Sequence, residues 1–167
     1  MRKVLVLVAA VVILSAVNFT VYQREKLLTG GRPILLELAP VDPRSLMQGD
    51  YMALRFRVAA DAFASDLSMK PRDGHLVVVL DERGVAAFRR FADGAPLRAN
   101  EALLRYRIRN GQPKFATNAF FFQEGHARFY EKARYGEFRS DKDGEILLTS
   151  LLADDFTRLG PPREEAR

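Results

Sequence analysis

Residues 39–58 read Ala39-Pro40-Val41-Asp42-Pro43-Arg44-Ser45-Leu46-Met47-Gln48-Gly49-Asp50-Tyr51-Met52-Ala53-Leu54-Arg55-Phe56-Arg57-Val58. The first part is a constrained loop and the second a two-faced strand. Pro40 and Pro43 fix φ and push the residues before them into extended conformations. Asp42 before Pro43 opens a turn. Gly49 can take φ > 0 without steric cost, and Asp50 is short enough to accept from neighbouring backbone N–H groups. From Tyr51 the pattern alternates. Met52, Leu54, Phe56 and Val58 share one face; Tyr51, Ala53, Arg55 and Arg57 share the other.

Upstream, Arg2 and Lys3 precede residues 4–17, where Ser15 is the one polar residue, and the apolar character continues to Tyr22. Fourteen residues suit a signal-peptide core; nineteen, counted to Tyr22, cross a bilayer at ~1.5 Å per residue. No Ala-x-Ala cleavage site follows, and Leu14 and Ala16 match one poorly. Tyr22 and Arg24 stand where an interfacial aromatic and a snorkelling cation belong. The segment is read as an uncleaved signal anchor, with a cleaved signal peptide as the alternative. Arg2, Lys3 and the amino terminus outweigh Arg24 and Lys26, which Glu25 dilutes. This places the short flank in the cytoplasm and the remainder outside the inner membrane, in the periplasm of a two-membrane host. Residues 29–33 read as a helix stop and linker.

Downstream the chain breaks into short strands. Residues 34–38 form one. Ala60, Phe63, Ala64 and Leu67 at helical spacing predict a short helix in 59–69. Residues 75–81 and 85–91 form a hairpin around Glu82-Arg83-Gly84. Residues 101–109 alternate, with Leu104, Tyr106 and Ile108 on one face, and Asn110-Gly111 is a strong hairpin turn. Residues 113–116 return, and residues 119–122 carry three Phe into an expected buried strand. Residues 124–134 are helical in composition. A second hairpin joins 136–140 to 145–152 through Asp141-Lys142-Asp143-Gly144. The expected fold is mainly β (α+β): an N-terminal transmembrane helix, then a small curled sheet or partly open barrel with one or two short helices. The expected division is an anchor and linker in 1–30, one domain in 31–160 and a charged tail in 161–167.

Gly49-Asp50-Tyr51-Met52-Ala53-Leu54-Arg55-Phe56 resembles the signature of the GDYXXLXY family of bacterial membrane-anchored proteins, with Phe56 where that signature has Tyr. Residues 39–44 and the run Asn118-Ala119-Phe120-Phe121-Phe122-Gln123-Glu124-Gly125 resemble it too. The resemblance implies a single-pass anchor followed by one compact domain; it brings no activity with it. On this basis Pro40, Asp42, Pro43, Gly49, Asp50, Tyr51, Leu54 and Phe56 are expected to be a structural motif.

The chain has 167 residues, a formal charge of +5 and no Cys. Thiolate nucleophiles, disulfides and zinc–thiolate sites are therefore excluded. No cofactor or metal site is expected. The positive charge favours an anionic partner, and a bilayer surface is the nearest one. No basic platform interleaved with aromatics appears, which argues against nucleic acid.

Asp50, Tyr51 and Arg55 are candidate binding residues at the rim of the Gly49 corner. Glu124, His126 and Tyr130 are a second set, with His126 and Tyr130 sharing a face if their segment is helical. Arg55, Arg57, Arg105, Arg107 and Arg109 would form a basic stripe if their two strands were neighbours. A partial similarity to type I signal peptidases also exists. Pro43, Leu46, Gly49 and Asp50 resemble Ser-Met-x-Pro-x-Leu-x-x-Gly-Asp after an anchor. Val41 stands where the nucleophilic Ser would be, Ser45 is at the wrong spacing, and Lys70, Lys114, Lys132 and Lys142 sit near turns or charged runs. The favoured reading is a non-catalytic, membrane-anchored interaction module with a membrane-protein partner; a peptidase-like hydrolase is the alternative.

Overall fold

A computed structural model describes residues 2–39, 47–48, 51–64, 72–109 and 111–162. Helix α1 (Arg2–Gly30) carries a window of mean hydropathy 2.7, none of it covered by the rest of the chain, and is long and apolar enough to cross a membrane. Two polar side chains within its apolar run bond back into the helix. The Asn18 amide donates to the Leu14 carbonyl and the Thr20 hydroxyl to that of Ala16, each at 2.9 Å.

The helix runs through Thr29 and Gly30, and β1 (Arg32–Glu37) opens two residues later. The expected linker is therefore a tight junction. Leu27, on the last turns of α1, is buried, and the Gly31 N–H donates to its carbonyl at 2.9 Å. Arg139 reaches the Gly31 carbonyl at 3.3 Å.

The remaining elements are β2 (Met47–Gln48), β3 (Tyr51–Ala53), α2 (Arg57–Ala64), β4 (Gly74–Leu80), β5 (Ala86–Phe91), β6 (Glu101–Arg109), β7 (Gln112–Lys114), β8 (Ala119–Phe121), a 3-10 turn (Ala127–Phe129), β9 (Tyr135–Ser140) and β10 (Ile146–Leu152). They form ladders in the orders β1-β9-β10, β5-β4-β6-β7 and β2-β3-β8, antiparallel throughout. The first two join where Leu35 bridges Val85 and its N–H donates to the Gly84 carbonyl at 2.9 Å. The first and third join where Leu38 bridges Phe56. The Arg105 N–H donates to the Gly144 carbonyl at 2.8 Å, drawing β6 towards the β9–β10 turn. The result is the curled, half-barrel sheet that alternating short strands predict.

The core lies inside the curl. Ile34, Leu36, Leu76, Val78, Leu104, Phe138 and Leu151 are fully buried and come from five different strands. Helix α2 covers β5 and β1 through Val58 and Ala62. Phe63 packs edge-on against Phe91 and Tyr106, at 5.6 and 5.2 Å between centroids.

Three expectations change. The motif strand is shorter than its alternation, because the chain turns into α2 at Arg57; the alternation survives in burial, with Met52, Leu54, Phe56 and Val58 all inside. Residues 124–134 are not a helix but a series of tight turns: His126 N–H to Gln123, Phe129 to His126, Tyr130 to Ala127 and Ala133 to Tyr130. Gly125 at φ +80° breaks any helix entering from Glu124, and the aromatic side chains that follow are drawn to neighbouring rings. The Phe run is not uniformly buried. A strand alternates, so Phe120 and Phe122 turn inward while Phe121 is 73% exposed.

Candidate functional site

The two stretches that carry the family resemblance, far apart in sequence, meet in one ladder. Strand β3 pairs with β8 in the register Tyr51 with Phe121, Met52 with Phe120 and Ala53 with Ala119. The pairing continues beyond the strand: the Leu54 N–H donates to the Asn118 carbonyl at 2.7 Å. Asn118 is fixed in turn by a turn in which the Thr117 hydroxyl donates to the Ala119 carbonyl at 2.6 Å. Leu54 and Phe56 are 2% exposed. Phe56 lies edge-on to Phe115 and Phe138, at 5.8 and 5.6 Å. The described part of the motif is thus a core strand that locks the third ladder to the first.

Pro40, Asp42, Pro43, Gly49 and Asp50 lie outside the described residues, as do Ser45 and Lys70. Of the remaining candidates, Tyr51 and Tyr130 fall on opposite faces of β8. Tyr51 faces outward against Phe121, with centroids 5.8 Å apart. Tyr130 is buried on the inner side against Phe120 and Phe122, at 4.9 and 5.5 Å. His126 turns instead to Phe129, at 5.4 Å. Glu124 is exposed on the turn before it, and Arg55 is exposed while its backbone carbonyl accepts from Ala39 at 2.8 Å. The helical face expected to join His126 and Tyr130 does not form. Among the described residues no three His, Asp or Glu side chains gather as metal ligands would.

The expected arginine stripe does not form either, because Arg55 lies past the end of β3, Arg57 opens α2, and β3 is not a neighbour of β6. Most of its members have carboxylate partners. Arg57 and Arg134 both hold Glu37, at 3.1 and 2.7 Å. Arg105 pairs with Glu145, which Arg107 approaches at 3.8 Å, and Arg109 lies 3.4 Å from Asp73. Asp73 accepts the Ile108 N–H at 2.7 Å; this bond first, and Arg109 with it, hold its carboxyl below the ordinary value.

One groove stands out by what lines it. About 370 Å³ in volume, it lies between α1 and the sheet, bounded by Arg24, Arg105, Arg107, Lys114, Phe121 and Glu145. The sequence analysis named all three arginines, Arg24 as an interfacial cation and Arg105 and Arg107 as a stripe, but missed the groove. Only the fold brings Arg24 of the helix to β6, and the signal for Phe121 was its odd place in an alternating run.

No curated protein and no solved structure matches the chain. A family model described as GDYXXLXY protein matches residues 13–151, from within α1 through nearly all of β10. The match spans most of the chain and includes both halves of the β3–β8 ladder, and the chain belongs to the GDYXXLXY family.

Proposed function

We propose that this chain is a single-pass inner-membrane protein whose β-rich domain, on the periplasmic side, is a non-catalytic interaction module acting beside a multi-spanning membrane protein. The observation that carries the reading is the junction. The apolar helix enters the domain without slack, with Leu27 buried and Arg139 bound to the Gly31 carbonyl. A leader destined for removal has no need of last turns built into the fold it leaves. An anchor that also orients its domain does. The cation balance around α1, Arg2 and Lys3 against Arg24, Glu25 and Lys26, supports an outside domain.

The chain has no Cys, so one introduced thiol reports its own location. Arg89→Cys, on exposed β5 surface, is expected to react with a membrane-impermeant maleimide in cells with a permeabilised outer membrane, and Lys3→Cys only after lysis. The reverse pattern would sink the orientation. Purified in mild detergent, the full chain is expected to retain a multi-spanning protein in fixed stoichiometry. Native mass spectrometry showing the chain alone at its own mass would count against the accessory role.

A further inference from the structure

We infer that the groove at the foot of α1 is a binding site for the phosphate headgroup of an anionic phospholipid in the leaflet from which the domain emerges. The inference rests on reading α1 as a membrane span and goes beyond it by naming a ligand and the residues that hold it. Depth comes first. The apolar run ends at Tyr22, and at ~1.5 Å per residue Arg24 lies ~3 Å further along the helix, at headgroup level. Arg24 is itself a wall of the groove, so the groove opens at that depth.

Charge is the second observation. Four cations, Arg24, Arg105, Arg107 and Lys114, face one carboxylate, Glu145. Arg105 and Arg107 share that carboxylate. Among the described residues neither Arg24 nor Lys114 has a carboxylate within ion-pairing distance. The groove is therefore short of negative charge, and a phosphate diester supplies it where guanidinium groups bind oxygens in pairs.

The third observation is Phe121. It is 73% exposed, the most exposed large apolar side chain of the described chain, although a strand facing water gains nothing from it. It lines the same groove, braced by Tyr51. A lipid satisfies both halves at once: its phosphate meets the cations, and its glycerol and upper acyl carbons cover the ring. A free inorganic anion would leave Phe121 in water.

The test uses the full chain, delipidated in neutral detergent and offered equal phosphatidylglycerol and phosphatidylcholine before native mass spectrometry. Phosphatidylglycerol is expected to be retained about fivefold or more over phosphatidylcholine. Arg107→Gln with Lys114→Gln is expected to bring the ratio near parity. Arg72→Gln with Arg89→Gln, exposed positions that do not line the groove, removes the same charge and is expected to leave the preference intact. Parity in the parent chain, a preference that survives the groove substitutions, or equal loss in the control would each overturn the site. Because the chain has no Trp, Phe121→Trp adds a single fluorophore. In nanodiscs with brominated acyl chains its emission is expected to be quenched, and unquenched emission removes Phe121 from the lipid. Resistance to carbonate extraction tests the span separately. An integrated chain without lipid preference sinks this inference and leaves the anchor standing; an extractable chain sinks both.

Discussion

Tyr51 lies directly opposite Phe121 across the β3–β8 ladder, their rings 5.8 Å apart on the outer face, while Met52 beside it points into the core. One residue of register thus separates a surface contact from a core contact. The core half rests on Phe56. Phe56→Ala is expected to cost about 3–5 kcal/mol, since it empties a site framed by Phe115 and Phe138. Thermal denaturation of the full chain in detergent measures the loss. A change below about 1 kcal/mol would mean that Phe56 is not the lock between the ladders.

Two hairpin glycines have similar backbone angles and different surroundings. Gly111 sits at φ +72° with open space where a Cβ would go. Gly144 sits at φ +81°, and a Cβ there would meet the Arg105 N and the Leu103 Cβ at 3.1 Å. Gly111→Ala is expected to cost about 1–2 kcal/mol from backbone strain alone. Gly144→Ala is expected to reach about 3 kcal/mol, because the contact that closes β6 onto the β9–β10 turn must open as well. Equal urea midpoints for the two variants would refute the distinction.

Glu37 is the shared carboxylate of Arg57 and Arg134, and its side chain is only 17% exposed. Glu37→Gln leaves two guanidinium groups facing one another. A loss of about 1 kcal/mol is expected, the pair being partly solvated. High salt screens the mutual repulsion of the two guanidiniums and should narrow the gap. Urea titrations at low and high ionic strength read both effects.

Acid should weaken the domain in a defined window. The Asp73 carboxyl is held low first by the Ile108 N–H, that of Asp93 first by the Ala95 N–H, and that of Asp155 first by the Thr157 hydroxyl. Folded carboxyls with lowered values bind protons less readily than the unfolded chain does. Their contribution is therefore whole above about pH 4 and lost as pH falls through the folded values. Urea midpoints are expected to be flat from neutral pH to about pH 4 and to fall below it, and Asp73→Asn should make that fall shallower. An unchanged slope in the variant would remove Asp73 from the account.

Much of this architecture could be read from residue order because it is local. The hairpins at Gly84, Gly111 and Gly144 follow turn chemistry, and each of these glycines takes positive φ. The alternation from Met52 to Val58 correctly names the buried face even where the ladder stops, since side-chain direction outlasts hydrogen bonding. What residue order did not show was non-local. Whether the segments carrying Arg55 and Arg105 become neighbours depends on β3 choosing β8, and nothing near either arginine records that choice. The turns through 123–133 misled for a related reason: the residues are compatible with a helix, but Tyr130 is held by Phe120 and Phe122, contacts a helix period does not contain. The cationic groove needs a helix side chain, two neighbouring strands and a turn residue together, and so was visible only once all were placed.

At the junction, a Cβ on Gly31 would collide with the Leu27 carbonyl oxygen and meet the Arg139 Cβ at 3.0 Å, so there is no room for even one methyl between rod and sheet. Such a coupling makes the domain a lever arm on the helix. On the proposed reading of the rod as a membrane span, a thinner bilayer that makes it lean would swing the sheet through the same angle, turning local membrane thickness into a displacement of the domain.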